Sequence, residues 1–518
     1  HRDLHSFPTR RSSDLGEYMS KKTSSLIYLI IFLALSLRLA GIKHSFPFIF
    51  HPDEPTIVNS ALGVRFEPNP KHFDWPHLYI YSNFVVYKGF AKFRDLAVEY
   101  NAQNFLIKTF PLIWDDGVIF YLITRIFTAT LGALTVIPVY KTGKRLFGEK
   151  VGLLSALAFA VIPFHVWHSH YSLPDAPMLF LLAWGMYYAS GILINGYPID
   201  YVSAGFFIGL SASTKYNGGL GAVMVPLAAL LHWVGWKTRF FERRGDFPYF
   251  KTLMNLFFSG IFAVFGFILG TPYSVLDYKT FSRTDGPVGA FWQFTNVGSV
   301  EFPEHVSKFL NNISFQLTND TGYTILLGFF LTLGVVLIRF LKGTFSKYDL
   351  SLIFLSTVAI FFIWYISGFQ KTRSQYYFIF YPFVSVVFGY FCVWLMNKAS
   401  RGIKYLHIPI MLILFIPPMS LSVYNSLRFM RNDTRLDLKE FLQSEVPYGT
   451  KIVYSSSDAE RVVKHVFNDA TKEASKLPKG TRYYLIELNK GVSPVNPIFE
   501  VSNNGRIGPY ITVEERVR

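Results

Sequence analysis

Residues 117–140 read GVIFYLITRIFTATLGALTVIPVY, and Arg125 is the single charged side chain in this run. A helix needs about 20 mostly apolar residues to cross the hydrocarbon layer of a membrane. The run is therefore long and apolar enough to span a bilayer. We expect Arg125 to face the protein interior and to pair with another group there, because a charge in contact with lipid is energetically costly.

Runs of the same kind recur along the whole chain. Of the 518 residues, 51% are hydrophobic, 18% are aromatic and 16% are charged, whereas about 25% of the residues of a soluble protein are charged. We therefore predict an all-α polytopic membrane protein with about eleven transmembrane helices. These lie at roughly 25–42, 117–140, 151–167, 177–195, 201–214, 217–234, 252–271, 322–340, 351–367, 375–396 and 406–424.

The basic residues cluster in short connections between the apolar runs. Lys21 and Lys22 precede the first run, which places the N-terminus in the cytoplasm because cytoplasmic loops are enriched in Lys and Arg. Four basic loops then also face the cytoplasm: 141–150, 237–251, 339–347 and 398–404. This arrangement predicts a multi-pass protein of the plasma (inner) membrane. The net charge of +16 is then explained by basic loops that lie against the anionic headgroups of the membrane bilayer, and no nucleic-acid partner is required.

Three segments are then predicted on the outer side of the membrane: the loops 43–116 and 272–321 and the tail 425–518. In the first loop, residues 76–92 are apolar but rich in tyrosine. This predicts a helix at the membrane interface, with a twelfth span as the alternative. The tail contains one amphipathic run, LDLKEFLQSEV, and three strand-like runs, KIVYSS, RYYLIEL and YITVEE. We expect the tail to form a small extracytoplasmic α/β domain.

The N-terminal segment differs from the rest of the chain. Residues 1–18, HRDLHSFPTRRSSDLGEY, have no apolar core and match no targeting pattern. We expect them not to belong to the natural protein, which would begin at or near Met19. The transmembrane domain is then predicted over residues 19–424.

The first group of polar residues follows the first apolar run, in the stretch FHPDEPTIV. His51, Asp53 and Glu54 bring two adjacent carboxylates and an imidazole to the membrane face. One of the carboxylates could act as a general base. The alternative is structural, because acids are also favoured where a helix begins, here near Pro55.

A second group lies at the end of the third run, in PFHVWHSHYSLPDAP. The imidazoles of His168 and His170 beside Asp175, together with His51, could ligate a divalent metal ion. Interfacial histidines are also ordinary at the end of a span, and Asp175 could simply begin a helix. Asp175 is a candidate catalytic residue because it is a second acid predicted at the same depth in the membrane as Asp53.

A third group consists of cations at the same membrane level. Lys215 lies in STKYNGG, and Lys371 and Arg373 lie in FQKTRSQYY. A lipid phosphate needs cationic partners, and arginine can bind it through two parallel hydrogen bonds. The alternative is that these side chains reach from helix ends into the headgroup layer. Together the acids could activate an acceptor hydroxyl while the cations hold a departing phosphate.

Seven motifs occur in order along roughly residues 25–455: HPDE, NPKHFDWPHLYIY, ITRIFTATLGALTVIPVYKTGKRLFG, HYSLPDAP, GLSASTKYNGG, KTRSQYYFIFYP and NDTRLDLKEFLQSEVPYGTKIVY. On these motifs the sequence resembles the membrane glycosyltransferases of the GT-C fold. More narrowly, it resembles the superfamily of protein O-mannosyltransferases and aminoarabinose transferases, which includes the RgtA/B/C/D-like domain.

The resemblance implies an inverting transfer of a sugar from a dolichyl- or undecaprenyl-phosphate donor to an acceptor hydroxyl of a protein, lipid or glycan. It implies that Asp53 occupies the position of the catalytic acid, with Glu54 beside it, and that Asp175 occupies the second acidic position. Arg373 corresponds to the position that meets the lipid phosphate. The spacing between Arg373 and the following tyrosines is wider than the Arg-Tyr pair common in the family.

Two other functions remain as alternatives at this stage. A transporter or flippase of lipid-linked sugars would carry polar residues near the middle of the bilayer and an internal repeat. The sequence shows neither, since its acids lie at one face. A non-catalytic membrane protein that binds glycolipid through its outer loops is the second alternative, and only turnover distinguishes it from an enzyme.

Overall fold

The computed structural model describes residues 10–241, 246–399, 405–488 and 497–518. The helices up to residue 430 are α1 (Arg10–Leu39), α2 (Glu54–Gly63), α3 (Leu78–Glu99), α4 (Gln103–Thr109), α5 (Ile119–Leu134), α6 (Val136–Phe147), α7 (Glu149–Ala160), α8 (Pro163–His168), α9 (Asp175–Asn195), α10 (Pro198–Thr214), α11 (Met224–Lys237), α12 (Tyr249–Gly270), α13 (Tyr273–Leu276), α14 (Tyr278–Phe281), α15 (Ala290–Asn296), α16 (Phe302–Asn311), α17 (Leu317–Thr321), α18 (Tyr323–Leu341), α19 (Lys347–Ser367), α20 (Tyr381–Ala399) and α21 (His407–Met430).

Short helical segments of other types join these helices. They are the 3-10 helices Pro111–Trp114, Tyr216–Val223 and Ser374–Phe380 and the π-helical turn Asn312–Gln316. Of the segment expected not to be native, residues 1–9 lie outside the described residues, as do parts of the basic loops 237–251 and 398–404.

A helix lies at each of the eleven predicted positions, so the predicted membrane architecture is confirmed. Among the described residues, eight helical segments are long and apolar enough to cross a membrane. They are Ile119–Phe147, Asp175–Asn195, Tyr216–Lys237, Tyr249–Gly270, Tyr323–Leu341, Lys347–Ser367, Ser374–Ala399 and His407–Ser444. The number of eleven spans is therefore not confirmed.

The remaining predicted spans are shorter or interrupted. The apolar part of α1, Ser25–Leu39, is one of the shorter apolar helices, and α10 has 17 residues. The span predicted at 151–167 is divided between α7 and α8, because Pro163 begins a new helix with the preceding residue in an extended conformation. The predicted interfacial segment 76–92 forms the long helix α3.

Close helix packing aligns the residues that surround the candidate site. A Cβ atom at Gly205 or Gly209 of α10 would lie 2.0 Å from a backbone oxygen of α12. Small residues of this kind let two membrane helices approach closely. The Ser211 hydroxyl donates a hydrogen bond to the Met178 carbonyl oxygen at 2.9 Å, which fastens α10 to α9. The end of α10 and the beginning of α9 therefore lie side by side.

The C-terminal segment folds as the predicted α/β unit. It contains α22 (Thr434–Ser444), α23 (Ser457–Val466), β1 (Lys451–Tyr454), β2 (Arg482–Leu488), β3 (Phe499–Val501), β4 (Ile511–Val517) and the 3-10 helix Ala474–Lys476. The predicted helix and the three predicted strands are confirmed, while α23 and the three-residue strand β3 were not predicted. The sheet order is β1-β2-β4-β3, with β1 parallel to β2 and β4 antiparallel to both neighbours.

Candidate active site

Three of the predicted site residues meet in one cavity of about 390 Å³. Asp53 reaches it from loop 1, the connection 40–53 between α1 and α2, while Lys215 reaches it from the end of α10. Arg373 reaches it from the connection between α19 and α20. A carboxylate and two cations that are far apart in the sequence thus share one solvent-accessible space. Other lining residues include Asp74, Trp75, Tyr216, Asn217, Gln375 and Tyr376.

The Asp53 side chain is directed to this cavity and does not cap a helix. Helix α2 begins at Glu54, and Asp53 precedes it without a side-chain capping hydrogen bond. The Asp53 amide donates a hydrogen bond to His51 Nδ1 at 3.2 Å. Burial, above all, lowers the pKa of His51 against the raising effect of Glu54 and Asp53. His51 Nδ1 thus accepts from the Asp53 backbone, and His51 lies outside the cavity that Asp53 lines.

Lys215 is held in place by Asp175 at the beginning of α9. The Lys215 Nζ atom lies 2.6 Å from Asp175 Oδ1, and His168 Nε2 lies 3.3 Å from Asp175 Oδ2. The Asp175 side chain is 2% exposed, so its carboxylate is shielded from solvent beside these two groups. The Lys215 ammonium also lies 5.4 Å from the ring centres of Trp75 and Tyr376, an arrangement that stabilises a cation.

Glu54, the neighbour of Asp53, lies in a different environment. Arg125 donates two hydrogen bonds of 2.8 Å to the two Glu54 oxygens, and the Ser172 amide donates a third at 2.8 Å. Burial raises the pKa of Glu54, but Arg125 and Ser172 outweigh it and bring the pKa below its usual value. Arg125 therefore faces the interior and is paired, as predicted. Glu54 does not line the cavity.

The Arg373 segment is fastened to the loop that precedes α16. Ser299 and Phe369 form an isolated antiparallel bridge, and the Lys371 amide donates a hydrogen bond to the Val297 carbonyl oxygen at 3.3 Å. Lys371 itself is not among the residues that line the cavity. Of the two cations predicted in this stretch, the geometry thus brings only Arg373 to the shared space.

The residues predicted as metal ligands do not fit a metal ion. Among the described residues, no three His, Cys, Asp or Glu side chains are grouped in a way that could hold one. Both ring nitrogens of His170 lie 2.9 Å from backbone carbonyl oxygens, those of Val166 and Ala40. Asp175 Oδ1 accepts a hydrogen bond from Lys215 Nζ. A bound divalent metal ion therefore stays a prediction, and the arrangement of His51, His168 and His170 gives it no support.

Sequence reasoning assigned no role to Asp74 and Trp75, although both lie in the motif NPKHFDWPHLYIY. Asp74 lines the cavity and accepts a hydrogen bond from His72 Nδ1 at 2.5 Å. His72 Nε2 lies 2.8 Å from the Ser60 hydroxyl oxygen of α2. An acid next to a tryptophan in a predicted outer loop was the available signal, because that pair can bind a sugar through hydroxyl groups and ring stacking.

Comparisons with known proteins agree with this architecture. Residues 104–262 match the family described as dolichyl-phosphate-mannose-protein mannosyltransferase. The chain is also similar to dolichyl-phosphate-mannose–protein mannosyltransferase 1 of Saccharomyces cerevisiae, with 33% identity over 202 residues. That match covers 37% of this chain and 22% of the yeast protein.

A solved structure shows the same fold over most of the chain. It is the archaeal oligosaccharyltransferase AglB from Archaeoglobus fulgidus, in complex with an inhibitory peptide and a dolichol-phosphate. The TM-score is 0.50 at 13% sequence identity, over 88% of this chain and 64% of the other. This chain has a GT-C fold. Together with the family match and the yeast relative, this fold confirms the predicted resemblance. ArnT from Cupriavidus metallidurans bound to undecaprenyl phosphate matches with a TM-score of 0.45 and 11% identity, over 96% of this chain and 98% of that one.

Proposed function

We propose that this chain is a glycosyltransferase that moves a sugar from a polyprenyl-phosphate donor to an acceptor hydroxyl at the outer face of the membrane. The observation that carries the proposal is the meeting of Asp53, Lys215 and Arg373 in one cavity. A cavity of this composition suits a substrate that combines a phosphate with a nearby hydroxyl nucleophile.

The matched relative suggests the donor and the acceptor. The yeast protein is named for dolichyl-phosphate-mannose and for protein as its acceptor. Mannose carried on a polyprenyl phosphate is therefore the first donor to test, and a protein hydroxyl is the first acceptor. Lipid and glycan acceptors are the next candidates, because a hydroxyl nucleophile is common to all three.

The chemistry follows from the placement of the charges. Asp53 takes the proton from the acceptor hydroxyl, and the acceptor oxygen attacks the anomeric carbon from the face opposite the phosphate. The bond between that carbon and the phosphate oxygen breaks, which inverts the configuration. Lys215 and Arg373 neutralise the phosphate as it leaves. The leaving group is already an anion, so no general acid is required.

Asp175 acts on the reaction through Lys215. Because Asp175 is buried and 2.6 Å from the lysine ammonium, it holds that cation in place at the cavity. A buried charge without a partner would be costly. Asp175 thus serves as a positioning residue in this mechanism, while Asp53 serves as the base.

The test uses the full chain in lipid nanodiscs with a panel of radiolabelled polyprenyl-phosphate sugars and a membrane extract as acceptor. Wild-type protein is expected to transfer one of these sugars, and Asp53→Asn is expected to lose the transfer. The matched control is Asp116→Asn, since Asp116 is 68% exposed and pairs with Arg94. A folded wild-type protein that binds these lipids without turnover would overturn the proposal and favour a lipid carrier.

A further inference from the structure

The aromatic residues of loop 1 are built into the hydrophobic core of the C-terminal domain. Phe50 belongs to the same buried cluster as the α22 residues Leu438 and Phe441 and the sheet residue Ile486. Phe48 packs against this cluster. Loop 1 therefore takes part in the core of a domain that begins almost 400 residues later in the chain.

Two charged residues at the start of α22 fasten the same loop. Arg435 binds both carboxylate oxygens of Asp433, with Nε–Oδ1 and Nη2–Oδ2 distances of 2.9 and 2.7 Å. Its guanidinium carbon lies 3.4 Å from the ring centre of Phe50. Asp433 Oδ2 accepts a hydrogen bond of 2.5 Å from the Ser45 hydroxyl. Asp433 is 1% exposed and Arg435 is 9% exposed, so the pair is shielded from water and from salt.

The loop backbone is held from two further directions. Arg461 of α23 donates a hydrogen bond of 2.9 Å to the Ile49 carbonyl oxygen. On the membrane side, Arg125 Nη1 donates to the carbonyl oxygen of His44 at 3.0 Å. The loop thus lies between the membrane helix α5 and the C-terminal domain, with contacts to both.

These contacts end just before the proposed base. Asp53 follows Phe50 by three residues, and three extended residues span at most about 11 Å. A loop that is anchored this close to its functional residue loses most of its conformational freedom before substrate binds. Misplacement of a reacting group by about 1 Å can cost about 100-fold in rate.

We propose that the C-terminal domain positions Asp53 for catalysis, with Asp433 and Arg435 as the positioning residues. The expected fall in turnover rests on the proposed function. The anchoring of loop 1 by the C-terminal domain does not. Release of the anchor displaces the carboxylate and leaves Lys215 and Arg373 in place. The turnover rate therefore falls, while the affinity for the phosphate of the donor is retained.

The experiment compares two variants that weaken the anchor from opposite sides. Arg435→Gln acts on the domain. Ser45→Ala removes the hydrogen bond of the loop to Asp433 together with a 3.3 Å contact inside the loop, to His44 Nδ1. The control is Arg482→Gln, because Arg482 lies in the same domain but is 79% exposed and 3.9 Å from Glu515. Amide hydrogen exchange of peptides covering residues 44–54 is measured in nanodiscs, together with kcat and the donor KM.

Both anchor variants are expected to speed exchange in loop 1, and the control is expected to match the wild type. Ser45→Ala should leave α22 protected, whereas Arg435→Gln also removes the cationic partner of Asp433 and Asp458 and should loosen the start of α22 as well. In the kinetic arm, kcat should fall about tenfold or more with the donor KM within about twofold.

Unchanged exchange in both variants would overturn the proposal whether or not the protein is a transferase. Faster exchange with an unchanged kcat would overturn the positioning role. Wild-type protein without turnover would contradict the proposed function, while the exchange measurement would still decide the anchor.

Discussion

Two neighbouring carboxylates, Asp53 and Glu54, illustrate how this fold separates chemistry from stability. Asp53 lines the cavity that Lys215 and Arg373 share. Glu54 is completely buried and accepts two hydrogen bonds from Arg125. Because helix α2 begins at Glu54, the two adjacent side chains leave the chain in different directions. Of these two acids, Glu54 is held by a buried cation and serves the fold, while Asp53 lines the cavity and is the candidate base.

The buried pair offers the largest expected effect. Glu54→Gln removes the negative charge and leaves Arg125 buried without an ionised partner, which costs about 3–5 kcal/mol of folding free energy. Thermal unfolding in lipid nanodiscs should show a clear drop in midpoint for this variant. Asp53→Asn is the matched control and should unfold close to the wild-type temperature. An unchanged midpoint for Glu54→Gln would show that the pair does not stabilise the fold.

Asp320 is a third acid to compare with Asp53 and Glu54, because it is mostly buried and has no cationic partner in the part of the chain that the structure describes. Among the described residues no ion pair involves it, and its Oδ2 atom has no hydrogen-bond partner. Burial raises the pKa of Asp320 to about 6, against hydrogen bonds from Ser374 and Gln316. A folded-state pKa above the unfolded one means that ionisation destabilises the fold. The stability that this group contributes is present below about pH 4 and is lost as the pH rises through about 6.

Asp320→Asn should therefore raise the unfolding temperature at pH 7.5 and have little effect at pH 4. Each pKa unit is worth about 1.4 kcal/mol, so the gain is at most about 3 kcal/mol. Unfolding is measured at both pH values, with the exposed Asp285, which pairs with Arg283, changed to Asn as the control. A gain of equal size at the two pH values would contradict ionisation as its cause.

Two cations in the connection between α19 and α20 allow a test of whether the cavity binds the phosphate of the donor. Arg373 lines the cavity whereas Lys371 does not. A hydrogen bond to a charged group is worth about 1.5–3 kcal/mol, so Arg373→Gln should raise the donor KM by about 10- to 100-fold. Lys371→Gln should leave it within about twofold. Equal effects in the two variants would mean that general surface charge, and not a phosphate site, attracts the donor.

The part of this architecture that the sequence predicts is the part set by local pattern. Hydropathy predicts a helix at each of the eleven positions, and polar residues at the predicted span ends include Asp53, Lys215 and Arg373. Hydropathy does not show where a helix stops: the apolar run 151–167 is divided at Pro163, and α10 ends after 17 residues. The number of spans therefore does not follow from the hydropathy pattern alone.

The rest of the site depends on contacts between distant residues. Nothing in the stretch HPDE distinguishes Asp53 from Glu54, because the difference is made by Arg125, 71 residues later than Glu54. The packing of Phe50 in the core of the C-terminal domain is likewise a contact between residues far apart in the sequence. Asp74 carried a local signal in its neighbour Trp75, but nothing local places the two residues beside Lys215 and Tyr376, since that proximity is also non-local. The order of motifs along the chain indicated the family, but it did not indicate these contacts.

The most direct test of the account measures sugar transfer and stability on the same pair of variants, Asp53→Asn and Glu54→Gln. A general base contributes about 100- to 10,000-fold in rate, so Asp53→Asn should lose transfer by about that factor, with wild-type stability and donor binding. Glu54→Gln should lose stability, and the molecules that remain folded should keep measurable transfer. Full transfer by a stably folded Asp53→Asn protein would contradict the central claim that Asp53 is the base.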